Sequence, residues 1–600
     1  MINWKQTLFA VALVSGAAAW GAFEAGFNLW PPGMRTSDRV IARFPAADVQ
    51  RCASARLRAM FDDTAGKSFW RACAHVLYQS DTLNAFNLRY STVIGLAGTG
   101  IAALAGFLIV VRLERPQDKV LRGRRHLKGH EARRRLRVAT NAECRHYGAG
   151  LDLASGIRLS CERETRHFLI WGSVGAGKTQ TMLRLMLSAL ARGDKILVLD
   201  TKGDMTAGLP NDPALVAPQD TRSFVWDVAA DCRVKQDARE LAARFIPASP
   251  DPMWSDAARE IFVACVATLQ ATKGADWTWP DLRTAAIADA QTLFAMAKKN
   301  HPEAMRLLED PSSRTAQSVL ATFQAHMNVV SALADAWPDS VNAPKFSVRD
   351  WLHMEAPARP IILQRDARYP ELSNAWISGL LGLLASSVGS PSLAESKSRR
   401  VWLFLDEFPQ LPRMPDFTTF LDVGRSKGVI VVLGAQDIAQ IRAIYGRERA
   451  DSWIGMVGTQ IITRLNPGRG AEEASLMIGE QEIEKRTRSV STVGTRTTVT
   501  ESRHRELRRV VMAAELSNRL GPRKGGVRVL IVGPGDDAYE LDLPFIRLPE
   551  LRAPSIPASW TCPPPVSDSA AMPVAYSKPL SPPRTALSKD EADRIRDLGR

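Results

Sequence analysis

Gly172-Ser173-Val174-Gly175-Ala176-Gly177-Lys178-Thr179, GSVGAGKT, follows directly on the apolar run Phe168 to Trp171. The octet satisfies G-x-x-x-x-G-K-[ST], and the context of a short apolar strand before it is what turns a pattern into a site. Glycines let backbone N–H groups curl around phosphates at the start of a helix, Lys178 is placed to reach the β and γ phosphates, and the Thr179 hydroxyl is placed to ligate Mg²⁺. The nucleotide-binding residues expected from this stretch are therefore Gly172, Ser173, Val174, Gly175, Ala176, Gly177, Lys178 and Thr179, with ATP and Mg²⁺ as cofactors.

A phosphate-binding loop hydrolyses nothing by itself, because it needs a metal anchor and a group that activates water at the end of a neighbouring strand. Val401 to Glu407, VWLFLDE, supplies both. Its five apolar residues read as a strand buried on both faces. Asp406 then holds Mg²⁺ through its water shell, and Glu407 polarises the attacking water.

Working outward, the chain alternates apolar strand candidates with helical stretches from about His167, the pattern of a parallel α/β sheet. Further strands are expected at Lys195 to Leu199, Pro360 to Leu363, Gly428 to Leu433, Thr459 to Arg464 and Arg528 to Val532. Between Ala229 and Val348 apolar residues fall at helical spacing instead, which inserts an all-α domain at 229–348 into a nucleotide-binding domain made of 151–228 and 349–550. From Ala553 onward nine prolines in 48 residues argue against a packed core, so 551–600 is expected to be a disordered Pro-rich tail.

The first 112 residues have a different character. Gln6 to Phe23 and Ser91 to Val111 carry no charged side chains, and about 20 apolar residues span a bilayer as a helix. Gly95, Gly98, Gly100 and Gly106 would let helices approach closely in lipid. Arg112 to Arg137 follows with eleven Arg or Lys against three acids, which marks that flank as cytoplasmic and 113–150 as a basic linker suited to lipid head groups or nucleic acid. Ala17-Ala18-Ala19 leaves open that the first segment is a cleaved signal peptide; either way everything after Val111 faces the cytoplasm. Residues 24–90 then lie on the exported side, where Cys52 and Cys73 are able to pair, while Cys144, Cys161, Cys232, Cys265 and Cys562 stay reduced. A formal charge of +15 favours an acidic partner, and the absence of CxxC or clustered His gives no metal-site motif.

Leu405 to Gly446, LDEFPQLPRMPDFTTFLDVGRSKGVIVVLGAQDIAQIRAIYG, resembles the Walker B to motif III block of type IV secretion coupling proteins, the TraD family in particular. GSVGAGKT, VLDTKGD (Val198 to Asp204), FVWDVAADC (Phe224 to Cys232), MWSDAARE (Met253 to Glu260) and IGEQEIEKR (Ile478 to Arg486) resemble family blocks in family order, so the likeness covers roughly residues 1 to 550. It implies a RecA-like P-loop ATPase domain with an inserted all-α domain, behind a two-helix transmembrane region. The implied protein is a multi-pass, inner-membrane homohexamer that works as a DNA-stimulated motor and brings a relaxase-bound single strand to the secretion channel. Its implied partners are single- and double-stranded DNA, the relaxosome, inner-membrane channel proteins and membrane lipid. Lys178 and Thr179 match the family's Walker A, and Asp406 and Glu407 its Walker B. Gln436 matches its GxQ glutamine, and Arg425 the arginine proposed to reach a neighbour's nucleotide. Where some members extend far past the motor with an acidic docking segment, the tail here is short, Pro-rich and basic or neutral, which departs from that pattern. Two alternatives stay open: a receptor or gate for protein effectors that moves no DNA, and a septal-type DNA translocase.

Overall fold

The computed structural model describes residues 119–562, apart from 311, 339–342, 356 and 494–495, together with 33–36, 39–43, 64–79 and scattered positions up to 104. The chain divides into two compact units, Met1–Arg125 with Ile478–Val510, and His126–Met477 with Val511–Arg600.

The larger unit is built on a mixed sheet whose strands are numbered here in chain order: β1 His126–Lys128, β2 Phe168–Trp171, β3 Lys195–Asp200, β4 Ala214–Val216, β5 Ile361–Gln364, β6 Val401–Leu405, β7 Val429–Ala435, β8 Thr459–Ile462, β9 Gly521–Arg523, β10 Gly526–Val532 and β11 Ala538–Pro544. Across the sheet the order is β1-β11-β10-β8-β2-β7-β6-β3-β5-β4, with β9 paired to β10. From β8 to β4 every pairing is parallel. All seven strands expected from the sequence are present. The antiparallel pairs β8–β10, β9–β10 and β10–β11 make the sheet mixed rather than parallel throughout.

Alternation explains why the central strands are apolar on both faces. Phe168, Ile170, Ile196, Val198, Trp402, Phe404, Ile430 and Val432 share one buried cluster with Met182, Leu185, Met186 and Ala189 of the helix Lys178–Arg192. The intervening residues Leu169, Trp171, Leu197, Leu199, Leu403, Leu405, Val431 and Leu433 are equally buried, which requires a second layer on the opposite face. Helices from Val228–Asp231 to Asn328–Ala336 follow β4, bracketed by a short parallel pairing of Val225–Trp226 with Lys345–Phe346. That pairing brings the entrance and exit of the helical segment together. Among the described residues one helix, Pro370–Gly389, is long and apolar enough to cross a membrane, but about two-thirds of it is buried inside the fold. Gly379 explains the fit, since an added Cβ there would lie 3.1 to 3.2 Å from Leu241, Phe245 and Trp226.

Two stretches differ from expectation. The basic segment read as a linker folds into β1 and the helix Gly129–Tyr147, whose Ala132, Leu136 and Thr140 form a buried stripe at i, i+4, i+8. Arg133, Arg134, Arg135 and Arg137 dominate its composition but lie outside the buried stripe, so the charge masked the helix. The Pro-rich stretch expected to be disordered from 551 is hydrogen-bonded through residue 562. Leu551 N–H donates to Ala207 O, Arg552 to the carbonyls of Thr206 and Leu209, and Trp560 Nε1 to Pro218 O. Residues 563–600 lie outside the described residues.

In the smaller unit, Glu480–Val493 and Arg496–Arg509 form a long antiparallel hairpin edged by Lys119–Gly123. Its strands are too polar for an apolar-run reading to find. Opposite charges meet directly across the ladder, as in the Arg509–Glu480 pair at 3.0 Å. Cys52 and Cys73 are disulfide-bonded, with Cα atoms 5.7 Å apart. Cys144, Cys161, Cys232, Cys265 and Cys562 are free thiols. The expected spans Gln6–Phe23 and Ser91–Val111 lie for the most part outside the described residues.

Candidate nucleotide site

The site stands at the C-terminal ends of β2, β7, β6 and β3. β7 lies between the strand that feeds the phosphate-binding loop and the strand that ends in Asp406. The loop is shaped by Gly175 and Gly177 at φ of 68° and 95°, in the left-handed region that costs glycine nothing. A Cβ at Gly177 would also lie 2.6 Å from Val527 of β10. Ser173 is braced from outside the motif, its N–H and hydroxyl both donating to Arg464 O at 2.8 and 2.9 Å. Gly172 N–H donates to Ala435 O at 3.2 Å, which ties the loop to the end of β7.

Lys178 is 5% exposed. Its Nζ donates to Gly172 O at 2.9 Å and lies 3.5 Å from Glu407 Oε1. Thr179 Oγ1 donates to Asp406 Oδ2 at 2.8 Å. The other carboxylate oxygen, Asp406 Oδ1, is buried and has no hydrogen-bond partner among the described residues. Burial pushes the Asp406 carboxyl above its ordinary range and the Glu407 charge adds to that, while the Thr179 hydroxyl and the Lys178 and Lys202 charges pull it back. A buried orphan oxygen beside a hydroxyl fits a hydrated divalent cation, which would give it partners. Gly434 permits this closeness of β7 and β6: an added Cβ would lie 2.8 Å from Asp406 Oδ1 and 3.1 Å from its Cα.

Glu407 occupies the left-handed region at φ 57°, a conformation that costs a non-glycine residue about 1–3 kcal/mol. Its Oε2 accepts from Gln436 Nε2 at 3.0 Å, so the glutamine after β7 and the glutamate after β6 are in direct contact. Five of the expected residues, Lys178, Thr179, Asp406, Glu407 and Gln436, are thus brought together.

Arg425 is not among them. It belongs to the short helix Val423–Ser426 that precedes β7, so the length of β7, roughly 20 Å, separates it from the loop of its own chain. There it pairs with Glu162 at 2.7 Å, half exposed, on the same Oε1 that Arg166 binds. The end of the sheet where it sits is braced by His167, whose Nε2 lies 2.9 Å from Leu421 O while Val431 N–H donates to its Nδ1 at 3.1 Å. The brace of Arg464 O and the spacing role of Gly434 are not assigned from sequence, and the loop after β3 reads there as a turn without a role. Only the last left a signal there, in VLDTKGD.

A family model described as the type IV secretion-system coupling protein DNA-binding domain matches residues 152–539. The chain is 28% identical over 349 residues to the coupling protein TraD of Escherichia coli K12, a match covering 54% of this chain and 45% of that relative, so it spans less than half of TraD's length. Among solved structures it is similar to the unbound monoclinic form of the bacterial conjugative coupling protein TrwBdeltaN70, with TM-score 0.58 and 24% identity over 74% of this chain and 97% of the other. It is also similar to the plasmid coupling protein TrwB in complex with the ATP analogue ADPNP, with TM-score 0.57 and 23% identity over 74% and 98% of the two chains. The same protein in complex with ADP and Mg²⁺ matches with TM-score 0.57 and 23% identity over 73% and 98%. At those identities the structures speak to the fold, which is TrwB-like α/β, whereas the family match covers most of the sequence from before the phosphate-binding loop to β11: the chain belongs to the type IV secretion-system coupling proteins.

Proposed function

We propose that this chain is the inner-membrane coupling ATPase of a conjugative type IV secretion system, coupling hydrolysis of Mg²⁺-bound ATP to delivery of relaxase-bound single-stranded DNA to the channel. The observation that carries the reading is the convergence of Thr179 on Asp406 and of Lys178 and Gln436 on Glu407, at the ends of the consecutive strands β2, β7 and β6. TrwB, whose fold is shared, binds ADPNP and ADP with Mg²⁺, which supports the same ligands here.

Thr179 and Asp406 would hold the metal, which when bound neutralises charge on the phosphates. Lys178 releases its hydrogen bond to Gly172 O and its contact with Glu407 to meet the nucleotide phosphates, and Glu407 is then free to orient a water and take its proton. Gln436, attached to Glu407, transmits the presence or loss of the terminal phosphate to β7. Arg425, remote from its own loop and half exposed, suits action on a neighbour's nucleotide in a homohexamer. The charge of +15 suits a polyanionic cargo and anionic lipid. Val14, Trp20, Ile101 and Leu104, all more than half exposed, suit two spans that place the site on the cytoplasmic side.

The test is Glu407→Gln in the full chain. ATP binding is retained while turnover falls by about 10²- to 10⁴-fold, the contribution of a positioned base; normal turnover would refute the assignment. Stimulation of the wild type by single-stranded DNA that fades as salt rises supports the DNA reading.

A further inference from the structure

The loop after β3, Asp200-Thr201-Lys202-Gly203-Asp204, has no role in the mechanism above. Asp200 is 3% exposed, and its carboxylate accepts four hydrogen bonds: from Lys202 N–H at 3.1 Å, Gly203 N–H at 2.8 Å, Thr206 N–H at 2.7 Å and the Thr206 hydroxyl at 2.8 Å. All its acceptor capacity is used on its own loop, so Asp200 is a turn clamp rather than a ligand. Gly203 completes the turn at φ 85°, and an added Cβ would lie 3.0 Å from Pro554 of the C-terminal stretch.

The clamped turn delivers Lys202 to the reacting side of the site. β3 and β6 pair up to Leu199 and Leu405, so the residues just past their ends stand side by side. Lys202, Asp204, Asp406 and Thr179 line one small cavity there. The side-chain ammonium of Lys202 has no hydrogen bond or ion pair among the described residues, whereas that of Lys178 is engaged with Gly172 O and Glu407. An unpaired cation held beside a buried carboxylate and a hydroxyl is suited to a ligand that brings more negative charge than Lys178 and a divalent metal neutralise. A nucleoside triphosphate is such a ligand and a diphosphate much less so.

We propose that Lys202 is a second phosphate-facing cation of this site, one that contacts the terminal phosphate of a nucleoside triphosphate and distinguishes it from a diphosphate. The proposal rests on the nucleotide reading of the site. Its structural basis is the Asp200 clamp, which holds the turn carrying Lys202 at the cavity that Asp406 and Thr179 also line.

The test is calorimetric titration of the full chain with ADPNP and with ADP, each with Mg²⁺, for wild type, Lys202→Met, Lys202→Arg and Lys178→Ala. Lys202→Met keeps the stem of an exposed side chain and should fold. It is expected to weaken ADPNP by about tenfold or more, the worth of one charge-assisted hydrogen bond, and ADP by less than about twofold. Lys202→Arg recovers most of the ADPNP affinity. Equal weakening of both nucleotides by Lys202→Met, or no change in either, overturns the proposal. Wild type that binds neither nucleotide, or Lys178→Ala that binds both as wild type does, would instead break the nucleotide reading.

Discussion

The two ends of the central strands are built on opposite principles. At the C-terminal end the candidate site residues are buried and tied to one another: Lys178 and Glu407 are each less than 10% exposed, and Gln436, Thr179 and Asp406 are hydrogen-bonded into the same cluster. At the N-terminal end Arg425 keeps about half its side chain in solvent, and Glu162 holds it in a pair that Arg166 shares. One end is pre-organised by its own chain. The other presents a charged group on a surface, where its pairing costs little to undo. The contrast is between a cluster that one chain completes by itself and a charged group that the same chain leaves accessible, far from that cluster.

The sharpest way to break this contrast is to disable each end separately. Lys178→Ala should abolish hydrolysis, and Arg425→Ala should lower turnover by about 10³-fold or more, as loss of an arginine finger does. Mixed in equal amounts, the two inactive proteins should regain measurable ATPase activity, because about a quarter of randomly formed interfaces would pair an intact loop with an intact arginine. Normal hydrolysis by Arg425→Ala removes the arginine from the chemistry. An inactive mixture means that the arginine does not act across subunits or that a ring needs every site intact, and graded mixing with wild type separates the two.

A smaller effect tests the packed end. Gly434→Ala pushes a methyl group against Asp406, including its backbone, and should cost about 1–3 kcal/mol of stability as overpacking does. Urea unfolding measures the loss, and hydrolysis should fall with it. An unchanged midpoint and unchanged activity would show that β6 and β7 have more room than the structure gives them.

The N-terminal end should show its own pH dependence. Burial holds the His167 imidazole down at about 4, below its ordinary value of 6.5, and the Leu421 carbonyl only partly offsets this. The folded protein thus stays unprotonated where the unfolded chain takes up a proton, so stability falls as pH drops below about 6.5. At pH 5 the loss is about 2 kcal/mol relative to pH 7. A His167→Gln variant, compared with wild type by urea unfolding at both pH values, should lack this component; an identical pH dependence would overturn it. Smallest of all, Glu162→Gln should change stability by less than about 1 kcal/mol, because it removes partly exposed ion pairs. A larger loss would mean that the arginine end is as pre-organised as the other.

Much of the larger unit was legible because its signals are local. A short, fully apolar run that ends in acids, such as Val401–Leu405 before Asp406 and Glu407, reads as a strand covered on both faces, and glycines at 175 and 177 before Lys178 leave the loop few alternatives. The hairpin Glu480–Arg509 was not legible, because its strands alternate charges rather than apolar residues and find their partners only across the turn. The helix Gly129–Tyr147 was hidden for a related reason: three small or apolar contacts decide it, while its many arginines dominate its composition.

The sequence by itself determined the identity of the phosphate loop, the acidic strand end and the strands that carry them, because each depends on residues within a few positions of one another. Tertiary structure alone decided that β7 lies between β2 and β6, which is what lets Gln436 touch Glu407. It also decided that Arg464 O braces Ser173 and that Lys202 stands beside Asp406. Those neighbours are joined by crossovers of tens to hundreds of residues, and no local preference encodes which strand ends meet; the order in which covered strands pack into one sheet does.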